Sequence, residues 1–412
     1  MRHIASRLNG NKSPTATGPS DWRKTLWILW AANFSVTAGM SLIIPFLPYY
    51  IEFLGVHDLQ DVEVWSGWVF SAQFVTSFLF QPLWGSLSDK YGRKAMLLRA
   101  GFGMAIVTGA MGLVTSPWQL LALRMINGVF SGFISMGIAL LAVITPNEHA
   151  GKALGTLQTG GIAGSLIGPL IGGILAEALG YNRIFFLTGI LLLIASLIVL
   201  VYIKEPKSLR RKSVTKEKMD WQAMTHLIPI FIASFVTQLG MMSIEPIVTI
   251  YAKTLYSGLH LEFIAGLVVA ITGMANLFGA PTLGKLSDKI GQRRTLLLAF
   301  VMAAAAFLPQ ALAGNITVLL VGRFLLGLFV GGMIPSLNAL VKKLSPPNKQ
   351  GTAYGFNTSA MFLGNLVGPL VGSHAAALFG IRSVFYITMS ILLLNAVTIY
   401  FNRNLDSVPS NL

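Results

Sequence analysis

Twelve stretches of the chain contain no Asp, Glu, Lys or Arg: residues 25–51, 64–88, 100–123, 125–147, 153–176 and 184–203, then 221–244, 263–284, 295–322, 324–341, 350–381 and 383–402. They are built mainly from Leu, Ile, Val, Phe, Ala and Gly. About 20 apolar residues cross the hydrocarbon core as a helix. Backbone groups in lipid must be satisfied internally, so such segments can only be helices. The pattern therefore predicts twelve transmembrane helices and an all-α polytopic membrane protein. The turn between the ninth and tenth spans is placed at Gly314-Asn315, by analogy with Ser116-Pro117 in the first half.

Composition agrees with this reading and removes a competing one. Hydrophobic residues make up 54% and charged residues 11%, where a soluble domain carries about 25% charged. The net charge is +15, from 30 Lys and Arg against 15 Asp and Glu. In a charge-rich chain that excess would suggest nucleic acid; here the few charges sit between spans. The chain has no cysteine, which excludes disulfides, Cys-ligated metal and a thiol nucleophile. No Walker motif, GxSxG or metal-ligand cluster is present, which argues against an ATPase or hydrolase.

Lys and Arg in the loops set orientation. An even number of spans puts both termini on one side, and that side collects 25 of the 30 bases. The opposite side has Arg183, Lys253 and Arg382, while Arg124 and Arg323 fall inside spans. Both termini are thus expected in the cytoplasm. The organisation expected is a disordered tail (1–21), a six-helix bundle (22–204), a basic cytoplasmic linker (205–220), a second bundle (221–403) and a tail (404–412). The polar first 24 residues have no apolar core with a cleavage site, so the first span reads as a retained anchor.

The two halves repeat at an offset near 200 residues. Gly164-x3-Gly168-Pro169-x2-Gly172 recurs as Gly364-x3-Gly368-Pro369-x2-Gly372. Arg124, Gly128 and Gly132 recur as Arg323, Gly327 and Gly331, and Gly85, Asp89 and Gly92 as Gly284, Asp288 and Gly291. Gly39 and Pro45 find Gly240 and Pro246, 201 residues on. Parallel repeats about an axis along the membrane normal are one design of secondary transporters.

The segment Gly85-Ser-Leu-Ser-Asp-Lys-Tyr-Gly-Arg-Lys94 resembles the loop signature of the major facilitator superfamily. Leu120-x3-Arg124-x3-Gly128-x3-Gly132 is similar to its fourth-helix signature, and Gly164 to Gly173 resembles the fifth-helix signature of its exporters. Ser41 to Pro48 and Leu154 to Gly161 are similar to the bacterial MdtG-type multidrug exporters. The resemblance covers roughly residues 22–403 and implies a drug–proton antiporter.

The acids narrow to one candidate. Asp21, Glu148, Glu205, Glu217, Asp220 and Asp406 fall in cytoplasmic loops or tails, and Asp89 and Asp288 in the turn motifs. Glu52, Asp58, Asp61, Glu63, Glu177 and Glu262 fall in outer loops or at outer helix ends. Glu245 is left as the one acid within a span, where a charge costs about 2.5–3.5 kcal/mol on insertion scales. Such a group can take a proton in one conformation, lose it in another, and hold a cationic drug. The alternative is a carboxylate near the outer surface, satisfied by Lys253 or water. Quinolone-type exporters carry an acid at the matching position and another in the tenth helix; 316–341 has none. Arg124 is read either as tuning the proton or as bonding first-helix carbonyls, and Arg323 mainly as structural.

The loop residues Gly85, Asp89, Gly92, Arg93 and Lys94, with Gly284, Asp288 and Gly291, read as a cytoplasmic gate or as a topology determinant. Asp89 is expected at or near the N-terminus of the third helix, where the macrodipole favours an anion. Gly160, Gly164, Gly168 and Gly172 share a helix face and let backbones approach. With Pro169 and Gly173 they are expected, from the resemblance, to seal the seam between halves. Asn33, Met40, Gln73, Asn127, Phe130, Gln238, Met241, Met242, Glu245 and Asn338 are candidates to line a substrate cavity, together with Thr37.

The resulting expectation is proton-driven export of amphipathic drugs from a bacterial cytoplasmic membrane. No cofactor or metal is expected beyond the proton gradient. The expected partners are a small-molecule substrate, protons and lipid, with no nucleic acid, and the state is a monomer. Export of a dedicated metabolite (a sugar, lysolipid or siderophore) and a non-transporting membrane sensor stay open as alternatives.

Overall fold

The computed structural model describes residues 22–205, 225, 227–345 and 350–402. The expected tails and nearly all of the basic linker lie outside these residues. Twelve helices follow in order: α1 (Trp22–Phe53), α2 (Leu59–Tyr91), α3 (Arg93–Met111), α4 (Pro117–Ile144), α5 (Asn147–Leu179), α6 (Tyr181–Tyr202), α7 (Ile228–Leu255), α8 (Leu261–Ile290), α9 (Gln292–Ala311), α10 (Ile316–Leu344), α11 (Gln350–Phe379) and α12 (Ile381–Phe401). Eleven are long and apolar enough to cross a membrane. The twelfth, α2, has 33 residues but carries Gln73 and Gln81, which lower its hydropathy.

Helix ends fall where local chemistry stops or starts them. Ser116 caps α4 by accepting from the Gln119 amide, with Pro117 in the first turn. Asn315 caps α10 by accepting from the Val318 amide. These are the two turns placed by analogy in the sequence, and each supplies a side-chain oxygen to an orphan N–H. Gly92 (φ 97°) and Gly291 (φ 90°) turn the chain between α2 and α3 and between α8 and α9, a backbone region that L side chains resist.

Asp89 is not at the start of α3. The α2 helix runs through Tyr91, so Asp89 lies in its last turn. The α3 N-terminus takes its anion from Glu205 instead, whose two oxygens accept from the Arg93 and Lys94 amides at 2.9 Å each. A carboxylate far along the chain thus does the capping expected of a local one.

One span is broken. Gly132 takes φ 108° and divides α4 into Pro117–Val129 and Phe133–Ile144. The break frees carbonyls, which need donors in a lipid environment. Arg99 of α3 donates to Val129 and Ser131 oxygens at 3.0 and 2.8 Å, and Trp84 of α2 donates to Val129 O at 2.7 Å.

The glycine rows decide the packing. A Cβ on Gly164 or Gly168 would lie 2.5 Å from Phe34 O or 2.6 Å from Ala38 O of α1. In the second half, a Cβ on Gly364 or Gly368 would meet Phe235 O or Leu239 O of α7 at 2.7 and 2.6 Å. This face therefore joins α5 to α1 and α11 to α7 within each half, which corrects the expectation that the whole row seals the seam. The seam is made beside it. Gly173 lies against Glu262 of α8, Gly266 of α8 against Pro169 O, and Gly67 of α2 against Pro369 O and Ser373 of α11. The halves meet through α5 on α8 and α2 on α11, a symmetric pair of crossings.

Gly372→Ala forces a Cβ into Ser243 O, whereas Gly355→Ala meets nothing within 4 Å. Thermal unfolding in detergent should show the first destabilised by about 1–3 kcal/mol. The second should be neutral or stabilised by up to about 1 kcal/mol. Equal behaviour of the two would contradict this packing.

Candidate functional site

Bases gather at one end of the helices (Lys90, Arg93, Lys94, Lys204, Lys285, Arg294, Lys342), where Asp89, Glu148, Glu205 and Asp288 also lie, and at the other end acids (Glu52, Asp58, Asp61, Glu177, Glu262) outnumber bases. The described hydrogen bonds and ion pairs between the halves lie from mid-depth to the acidic end. Ser71 donates to Leu366 O at 2.8 Å, and the Tyr49 hydroxyl donates to Thr249 O at 2.7 Å. Lys253 pairs with Glu52 at 2.5 Å, His260 meets Glu177 at 2.5 Å, and Tyr181 donates to Glu262 at 3.2 Å. The acidic end is the closed end of the seam.

Glu245 sits below this closure, ten residues before the end of α7, which is about 15 Å of helix. Its Oε2 is 4.0 Å from Nη2 of Arg323 on α10, and its side chain is 18% exposed against 4% for the arginine. Arg323 also donates from Nε to Val268 O of α8 at 3.1 Å. Lys253, the partner open to Glu245 in the sequence, is committed to Glu52. At 4 Å and an effective dielectric near 20, opposite charges attract by about 4 kcal/mol. That offsets the several kcal/mol each ion loses on leaving water only when further hydrogen bonds help, and the Val268 carbonyl supplies one. Glu245 is the more exposed half of the pair.

Arg124 stands apart from Glu245. It is 7% exposed and donates from Nη1 to Gln73 Oε1 at 2.9 Å, with its guanidinium 5.8 Å from the centre of the Phe70 ring. The partner is thus a second-helix amide, not the first-helix carbonyls. The symmetry explains why no acid meets it: 201 residues before Glu245 the chain has Ile44. The structure joins Glu245 to the other buried arginine, and opposite charges on two spans were the signal for that pairing.

A second acid is buried. Glu63 was counted among outer ends, but α2 begins at Leu59 behind an Asp58 cap, and Glu63 is 2% exposed. Glu245 is therefore not alone among acids inside a helix of the bundle.

Two observations decide the family. The family model described as "Major Facilitator Superfamily" matches residues 29–253 and, a second time, 230–411, one match for each half. The chain belongs to the major facilitator superfamily. Within this superfamily of transporters, it is 39% identical over 385 residues to "Multidrug resistance protein MdtG" of Dickeya zeae, covering 92% of this chain and 94% of the relative. It is also 39% identical over 372 residues to "Multi-drug resistance efflux pump PmrA" of Streptococcus pneumoniae, covering 89% and 93%. The fold is similar to the crystal structure of the nucleoside transporter NupG (TM-score 0.77, 14% identity, 91% of this chain and 98% of that one). It is similar too to an inward-facing bacterial homologue of Spinster (TM-score 0.74, 13% identity, 93% and 97%).

The remaining candidates divide by what they touch. Asn33 donates to Leu157 O at 3.2 Å, Thr37 to Asn33 O at 2.7 Å, and Gln238 to Asn365 Oδ1 at 2.6 Å. Asn338 accepts from Asn357 at 3.1 Å. Met40 and Phe130 pack against the first core and Met241 against the second; Met242 lies beside Gly368. Asn127 is 5% exposed with its Oδ1 lacking a partner. At the basic end, Gly85 and Gly284 have open space around them, and Lys94 donates to Leu200 O at 2.8 Å within its own half.

Arg323→Gln alone leaves the Glu245 carboxylate buried without its partner and should cost about 3–5 kcal/mol. Adding Glu245→Gln should recover part of that loss, a coupling of roughly 0.5–3 kcal/mol in a double-mutant cycle of detergent unfolding. Additive losses would mean that the two side chains do not interact.

Proposed function

We propose that the protein is a proton-driven multidrug exporter of the bacterial cytoplasmic membrane, working by alternating access. The observation that carries this is Glu245, a carboxylate in the middle of a span, held by Arg323 and partly accessible, beneath a seam closed at the acidic end. Likeness to two relatives named for multidrug resistance, along nearly their whole length, supports the substrate class. The 25-to-3 distribution of bases supports cytoplasmic termini, which makes the acidic end the outer one and this structure one closed toward the outside.

In this reading the bundles 22–204 and 221–403 rock about the crossings of α5 on α8 and α2 on α11, tied by the basic segment 205–220. An amphipathic drug enters from the cytoplasm or inner leaflet and docks near Glu245. It competes with the proton for the carboxylate, and Arg323 compensates the charge once the proton leaves. The residues of the Gly85–Lys94 loop and its repeat at Gly284, Asp288 and Gly291 form the inner latch, engaged when the outer side opens. Arg124, with Gln73, holds the matching position of the first half. The protein acts as a monomer without cofactor.

The gradient is large enough. One charge crossing roughly 150 mV gives about 3.5 kcal/mol, and one pH unit adds about 1.4 kcal/mol. For one proton exchanged against an uncharged drug, that sustains a ratio of about a few thousandfold.

In everted membrane vesicles, an imposed pH gradient should drive accumulation of ethidium that collapses with the gradient. Structurally unrelated drugs should compete for it. Competition confined to one compound class would favour a dedicated metabolite exporter, and flux that survives collapse of the gradient would contradict proton drive.

A further inference from the structure

Glu63 occupies the second turn of α2 at the acidic end, 2% exposed, and among the described residues it has no hydrogen bond or ion pair. Its neighbour Val62 packs into the core of the other half, so the carboxyl is set into the seam itself. It borders a cavity of about 650 Å³ between α2, α7, α11 and the start of α12. That volume is drug-sized. The walls are apolar: Leu59, Leu255, Leu378, Phe379 and Ile381.

Gln60 adds a neutral amide to the lining, and the other polar groups there hold hydrogen bonds. Tyr251 donates its hydroxyl to Ala313 O at 3.0 Å, and Arg382 donates from Nη2 to the same oxygen at 3.2 Å. Thr254 donates to Tyr251 O at 2.8 Å. Lys253, next along α7, is held by Glu52 at 2.5 Å. Asp58 spends its carboxylate on the Gln60 and Asp61 amides at 2.9 and 3.2 Å, and its charge adds to that of Glu63. A buried carboxylate with no counter-ion is costly; Lys253 is paired with Glu52, and Arg382 keeps its charge on a neutral carbonyl without pairing with Glu63.

We propose that the cavity around Glu63 is an outer binding site for an amphipathic organic cation, clasped between the two halves. A carboxylate with no ion-pair partner, beside a wall that is largely apolar, suits an ammonium or phosphonium carried on an apolar body. It does not suit a metal ion: among the described residues no group of three His, Asp or Glu converges. The site is distinct from Glu245, since Tyr251 lies six residues further along α7, about 9 Å. Its role on the exit path rests on the exporter reading, but the binding itself does not. Closing the seam around the cation gives the outer end a place to hold cargo between the central site and release.

The test uses the full chain in detergent with no gradient, so it is blind to proton coupling. Because the chain has no cysteine, Thr254→Cys introduces its sole thiol, at the cavity wall. Tetraphenylphosphonium should slow labelling of that thiol by fluorescein maleimide. Glu63→Gln should raise the concentration needed for half-protection by about tenfold or more, the loss of one charge-assisted contact. Glu63→Asp should restore part of it, and Glu245→Gln should leave it unchanged. Leu378→Lys, at the exposed rim, places a cation at the mouth and should weaken protection to a similar degree even if Glu63→Gln does not fold. Absence of protection, equal protection in Glu63→Gln or in Leu378→Lys, or loss of protection in Glu245→Gln would each overturn the proposal.

Discussion

A charge in hydrocarbon costs several kcal/mol unless it finds a partner, and the architecture follows from where this chain accepts that cost. The bases are gathered at one end of the bundle, and at the other end acids outnumber bases. Where a charge does enter, the surrounding structure is arranged for it. Arg323 has Glu245 and a backbone carbonyl. Arg124 has an amide oxygen. Arg99 serves the carbonyls that the break at Gly132 sets free. Glu63 alone among these has no partner of its own, and it faces a cavity.

Duplication explains much of the rest, including where the halves must differ. Glu52 and Lys253 are 201 residues apart, the same offset that relates Gly39 to Gly240. They are equivalent positions that meet each other at the pseudo-symmetry axis. Identical residues there would place like charges together, so the two copies have opposite charges. The same divergence separates the buried arginines: the half carrying Glu245 gained an ion pair, and the half carrying Ile44 kept Gln73. An element with one titratable pair in one half can change its charge state without disturbing its counterpart.

Much of this was legible in the sequence because lipid leaves few choices. The twelve spans, the repeat, the Ser116 and Asn315 turns and the place of Glu245 within a span come from periodicity, offset and elimination. What was not legible depends on neighbours distant in the chain. Glu63 was hidden because a charge was used to mark the span's edge, whereas the helix extends past it and the other half covers it. Asp89 is the acid nearest α3 in the chain, but the helix that holds it runs through Tyr91, and Glu205 supplies the anion from just beyond α6. The glycine row of α5 faces α1, not the seam, because a stripe of small residues says that a backbone comes close without saying which one.

The central claim is that proton movement and substrate movement share Glu245. Liposomes containing the protein and a trapped pH dye, given a substrate gradient and no imposed proton gradient, test it directly. The wild type should move protons against the substrate flow. Glu245→Gln should move none while still exchanging labelled for unlabelled substrate across the bilayer. Proton movement of wild-type size in Glu245→Gln would contradict the account.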